Sequence, residues 1–245
     1  MNPCLLFLPL FLFIASARAE TASPELAFPQ AQQAYEAGHF AEAAQLYGSI
    51  VSNGFAAAEV YFNQGNALYR AGATGPAIAS YRRAQYQWPR HPDIRANLAI
   101  VRQQTGALVT EEPFWMHALG QLSAREWSRL GLLGYWMAGG AAVLYFLARR
   151  NRRALRIALI GIALALSSAA GYTRWHALKQ QPEAVVLRSG VQALFAPLDN
   201  AVAHFALPEG SLVRVREESG QWLKIEVARQ EGWVRSEDCE RLSPR

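Results

Sequence analysis

The stretch LGLLGYWMAGGAAVLYFLARRNRRALRIALIGIALALSSAAGYT, Leu130 to Thr173, decides how the rest of the chain is organised. Leu130 to Ala148 and Ile157 to Thr173 carry no charged residue, and between them lie Arg149, Arg150, Arg152, Arg153 and Arg156. A helix rises ~1.5 Å per residue and needs ~20 residues to cross a hydrocarbon core of ~30 Å. The first run is long enough. The second covers about 26 Å, and Ala154 to Arg156 extend it while the Arg156 stem reaches outward. Trp127, Tyr172 and Trp175 flank the runs where interfacial aromatics are expected. The expectation is therefore a transmembrane hairpin: helices over 130–148 and 157–173 joined by an Arg-rich loop over 149–156. The alternative is a pair of buried core helices. Short loops dense in arginine stay in the cytoplasm, so both flanks belong on the extracytoplasmic side. Small residues at Gly134, Ala138 and Ala142, and at Gly161, Ala165 and Ala169, recur every four positions and suit close approach of the two backbones. Neither run holds an ionisable group, which argues against an ion or proton pathway.

Working outward, Leu5 to Ile14 is an apolar run followed by Ala17-Arg18-Ala19, the pattern of a secretory signal over 1–19 cleaved after Ala19. The alternative is an uncleaved anchor. Cys4 precedes the run, so it does not sit where a lipidated cysteine would. Loss of the signal leaves Cys239 alone, with no disulfide to make. The formal charge is +5, and the five loop arginines account for all of it. No spread basic face remains to track phosphates, so nucleic acid is not an expected partner.

Between residues 25 and 106, a shift of 34 residues superimposes Tyr35 on Tyr69, Gly38 on Gly72, Ala43 on Ala77 and Tyr47 on Tyr81. That period resembles the tetratricopeptide repeat, a helix pair ended by glycine and packed through alanine and tyrosine. Gly65, Ala84 and Pro89 strengthen the second unit, and Ile94 to Gln104 reads as a further helix. Such a solenoid presents a groove made by the first helix of each pair. The pattern assigns Phe28, Gln32, Tyr35, Phe62, Asn66, Tyr69 and Arg70 to that groove, with Asn63 and Asn97 at its border. Amides, arginine and aromatics together suit gripping a backbone or carboxylate; the alternative is that several pack between repeats. Residues 111–129, with Phe114, Trp115, Leu119, Leu122 and Trp127, read as an amphipathic juxtamembrane helix.

After Pro182 the texture changes to short strands: Ala184 to Leu187, Ala193 to Ala196, Leu212 to Val215, Trp222 to Val227 and Gly232 to Val234. Turns fall at Glu209-Gly210 and Ser219-Gly220. The succession ending in Gly232-Trp233-Val234 resembles bacterial SH3 domains and predicts a small barrel over 182–241. The segment around Leu194 to Pro197 departs from that family. Trp222 and Trp233 are divided between core and binding surface.

No phosphate loop, zinc-protease helix, nucleophile elbow or cysteine pair with ligand spacing is present, and the five histidines are scattered. The expected fold is thus multidomain: an all-α repeat solenoid, an α-helical membrane hairpin and a small all-β barrel, without catalytic, cofactor or metal residues. The whole order of parts resembles the BatE-type proteins of bacterial aerotolerance operons. That resemblance implies a two-pass inner-membrane adaptor, both soluble parts periplasmic, beside membrane proteins with von Willebrand A domains and a MoxR-type ATPase. The alternative is a wall-binding protein that holds peptidoglycan through the barrel.

Overall fold

The computed structural model describes residues 24–110, 113–148, 152–180 and 182–242; the expected signal, Glu111, Arg149 and Arg150 lie outside the described residues. Five helices come first: α1 (Pro24–Glu36), α2 (Phe40–Ser52), α3 (Ala58–Arg70), α4 (Thr74–Gln87) and α5 (Pro92–Thr105). Each packs on the next. Gly38 and Gly72 turn the chain at φ of +82° and +83°, which residues with a Cβ rarely adopt. Ala43 and Ala77 are wholly buried, so α2 and α4 approach their neighbours closely, while Tyr47 and Tyr81 fill the space between helices. α5 opens on Pro92, whose missing N–H costs nothing in a first turn, and closes on the left-handed Gly106.

The single helix expected over 111–129 is instead broken in two: α6 (Phe114–Leu119) ends, and α7 (Ala124–Leu147) begins at a capping box. Glu126 N–H donates to Ser123 Oγ while the Glu126 carboxylate accepts from Ser123 N–H at 2.8 Å. This reciprocal pair satisfies two amides that a continuous helix would not leave free, so Ser-x-x-Glu sets a start rather than a middle.

α7 and α8 (Arg152–Gln180) run side by side and are the two described helices long and apolar enough to cross a membrane. Only 11% and 17% of their apolar windows are buried within the molecule, unlike core helices of a globular domain. A Cβ on Gly134 would lie 2.6 Å from the Gly161 carbonyl, and one on Gly161 2.6 Å from Ala138 N, so these glycines set the spacing of the pair. Ala142 and Ala169 are exposed, and Ala141 takes the buried position instead. At 24 and 29 residues the helices reach about 36 and 43 Å, beyond both expected spans. The last turns of α8 bury Arg174, Trp175 and Leu178 in the soluble part.

Seven strands follow: β1 (Glu183–Val186), β2 (Val191–Leu194), β3 (Ala203–Leu207), β4 (Leu212–Ser219), β5 (Trp222–Val227), β6 (Gln230–Arg235) and β7 (Cys239–Leu242). They form one antiparallel sheet in the order β3-β2-β6-β5-β4-β1-β7 around Val186, Val213, Leu223, Ile225 and Val234. Two strands were not expected. β3 is largely exposed and lacks alternation, and β7 is four residues long with two charges, so neither carries a strand signature. The β5–β6 turn places Ala228 and Arg229 at φ of 47° and 65°, a left-handed pair normally signalled by Asn-Gly.

Helices and sheet are fused into one body. α4 packs on β1 and β7, and one core joins Ile78, Tyr81, Ile94 and Leu98 to Trp127 and Trp175 and to Val185, Leu212 and Leu242. Gly75 marks the closest approach: its N–H donates to Glu209 at 2.6 Å, and a Cβ there would stand 2.6 Å from the Leu187 carbonyl. Leu212 N–H donates to the Leu108 carbonyl at 2.8 Å, continuing the seam beyond α5. Gly75→Val forces these backbones apart and is expected to lower stability by about 1–3 kcal/mol, read by thermal melting of the full chain in detergent. A melt equal to wild type would contradict the close docking.

Candidate functional site

The first helices α1, α3 and α5 contribute the residues assigned to a groove, and the structure divides them into two groups. Phe28 packs edge-on to Tyr47 with centroids 5.6 Å apart, and Phe62 lies between Tyr81 and His91, each at 6.0 Å. Asn66 Oδ1 accepts from the Tyr81 hydroxyl at 2.8 Å and from Asn97 Nδ2 at 3.0 Å. These side chains brace one helix pair against the next. Burial pushes the Tyr81 hydroxyl well above its ordinary value, with Asn97 acting the other way, so it stays a neutral donor. Asn63 is half-buried beside them.

The second group lies open. Gln32 is exposed and donates to Glu36 at 3.0 Å; Tyr35 is half-buried, edge-on to Phe40 at 5.3 Å. The exposed Arg70 lays its guanidinium over the Phe40 ring, 4.4 Å from the centroid, and the Tyr69 hydroxyl donates to Gln104 at 2.8 Å. Phe40 and Gln104 complete this rim and were not among the expected residues. Phe40 begins α2, outside the first helices from which the groove was read, and Gln104 stands 35 positions from Tyr69. The rim offers a cation held on an aromatic face plus side-chain amides, a set able to meet a carboxylate or an extended backbone.

Where α4 meets the sheet, it carries a largely buried charge cluster. Arg82 forks onto Glu183 through two bonds of 2.9 Å, and the Tyr86 hydroxyl donates to the same carboxylate at 2.7 Å. Burial alone would raise the Glu183 pKa, but the charge of Arg82 and the bonds from Arg82 and Tyr86 outweigh it and hold the carboxyl below the usual range. The half-buried Arg102 is brought down to about 10 by desolvation and by the nearby Arg82 charge. Arg83 adds a contact to Glu240 and donates to the Arg241 carbonyl at 3.0 Å.

On the sheet, Trp222 is buried with Arg235 over its ring, whereas Trp233 is half-buried. Trp222 therefore serves the core, and exposed apolar surface comes instead from Phe195, Leu198 and Val202, with His204 against Phe195 at 4.1 Å. Burial pushes the Cys239 thiol up to about 12, leaving it protonated and a poor nucleophile. Arg152, Arg153 and Arg156 lie exposed in the first turns of α8, at the end of the hairpin away from the soluble body. No group of three metal-ligating side chains occurs among the described residues. Comparison with protein-family models, characterised proteins and solved structures finds no match to this chain.

The Glu183 carboxyl is depressed in the folded chain, so its stabilisation is present above the ordinary carboxylate pKa of ~4.3 and is lost as pH falls through the folded value. Glu183→Gln removes the charge onto which Arg82 forks and is expected to cost about 3–5 kcal/mol at neutral pH. Denaturant unfolding from neutral to acid pH should show a shallower acid loss in the variant. Equal stability at pH 7 and parallel acid profiles would contradict the assignment.

Proposed function

We propose that this chain is a non-enzymatic adaptor of the bacterial inner membrane, with tetratricopeptide-type repeats and an SH3-like sheet held together on the periplasmic side. The observation that carries this reading is the rim of exposed Gln32 and Arg70 with half-buried Tyr35 and Tyr69, borne on the first helices. Because the sheet occupies α4, the first-helix face stays free for a partner segment. Cation, ring and amides together favour an extended peptide bearing a carboxylate.

The orientation rests on the arginines at the far end of the hairpin, which hold that end in the cytoplasm. The order of parts supports a BatE-type role, with von Willebrand A-domain membrane proteins and a MoxR-type ATPase system as the partner class. A second reading, peptidoglycan binding through the sheet, is favoured by the exposed Phe195, Leu198 and Val202 surface and the half-exposed Trp233.

Crosslinking in native membranes followed by purification of the tagged full chain tests the leading reading. Gln32→Ala with Arg70→Ala, both exposed, should remove a partner that wild type retains, at near-wild-type thermal stability; equal recovery would overturn it. Sedimentation of the full chain with purified peptidoglycan should leave the protein in the supernatant, and retention sensitive to Trp233→Ala would establish the second reading instead.

A further inference from the structure

A cavity of about 600 Å³ opens between the α4–α5 turn and the ends of α7 and α8. Its depth in the molecule is informative. Ser168 and Tyr172, in its wall, belong to the uncharged run of α8, whereas Arg125 and Arg129 sit in the first two turns of α7, just outside the uncharged run that starts at Leu130. One wall is thus at the edge of the hydrocarbon and another at headgroup level, if α7 and α8 cross a bilayer.

The chemistry of the wall is cationic and aromatic. Glu126 is its one carboxylate, already engaged by Arg90 and by Ser123 N–H. Arg125 and Arg129 are exposed and have no hydrogen-bond or ion-pair partner among the described residues. Two further groups remain unpaired: Trp175 is 5% exposed, yet its Nε1 and the Nδ1 of His91 are buried without partners. Both residues line the cavity, with these two atoms beneath its surface. The two exposed guanidiniums in the wall suit an occupant that brings negative charge from the membrane side.

We propose that this cavity holds the headgroup of one anionic phospholipid, its phosphate at Arg125 and Arg129. The acyl chains then leave along the exposed apolar surface of α7 and α8, where Tyr172 stands at the boundary. A cavity of this volume is in the range of small-ligand sites, and arginines near a membrane surface favour anionic over zwitterionic lipid. The proposal rests on the hairpin spanning a bilayer and not on any partner of the helical rim.

Native mass spectrometry of the full chain in detergent tests it, with dioleoyl phosphatidylglycerol, dioleoyl phosphatidylcholine and soluble glycerol 3-phosphate as probes. One phosphatidylglycerol should be retained at about tenfold lower concentration than phosphatidylcholine, with no retention of glycerol 3-phosphate. Arg125→Ala with Arg129→Ala should bring the two lipids level, and Arg125→Gln alone should weaken the preference if the double variant does not fold. Arg152→Ala with Arg156→Ala, at the other membrane face, should leave it intact. Equal retention of both lipids by wild type, an equal loss in the Arg152 and Arg156 control, or retention of glycerol 3-phosphate as tight as the lipid would each overturn the proposal. Recovery of the chain as a soluble protein without detergent would overturn the spanning premise instead, a result separable from lipid selectivity.

Discussion

The fork from Arg82 to Glu183, closed by the Tyr86 hydroxyl, is the contact on which the rest of the molecule depends. Arg82 lies on α4, Glu183 opens β1, and 101 positions separate them. Both charges are largely removed from water, a cost that their attraction repays only when the geometry is right. The consequence is positional. A slip of α4 along the sheet would leave a buried arginine facing a carboxylate it no longer reaches, while the Gly75 approach to Leu187 leaves no room to tilt. A polar clasp beside an apolar seam thus selects one docking, where the seam alone would accept neighbouring registers.

That docking determines how the hairpin is held. α8 does not stop at the end of its uncharged run but continues to Gln180, carrying Trp175 and Leu178 into the same core that contains Tyr86 and Val185. Tyr86 and Trp175 meet edge-on at 5.9 Å while the Tyr86 hydroxyl holds Glu183 of β1, so one tyrosine ties the helix stack to both α8 and the sheet. A stiff helix entering a shared core transmits its orientation, so the open rim is carried at a set angle to the hairpin rather than on a loose tether.

The hairpin was legible because charge is absent from two runs and dense between them, a signal that needs no tertiary context. The helix pairs were legible because the 34-residue offset repeats Tyr, Gly, Ala and Tyr. β3 and β7 escaped notice because one is exposed and the other is a charged four-residue edge strand, and strand periodicity reports only half-buried elements. The residues assigned to a groove were legible by type and not by contact. Residue type could nominate Asn66 and Asn97 but could not say that they would satisfy each other and Tyr81. The fusion of helices with sheet was not readable at all, since Arg82 and Glu183 each look like ordinary surface charges in their own segment.

Helix stack and sheet form one cooperative body seated on the α7–α8 hairpin. Native-state hydrogen exchange of the full chain in detergent measures this most directly, because segments that open together share one opening free energy. The amides of α4 and β1 should exchange with the same free energy and the same denaturant dependence. Exchange of β1 at the sheet's own free energy, while α4 opens independently with the other helices, would contradict it.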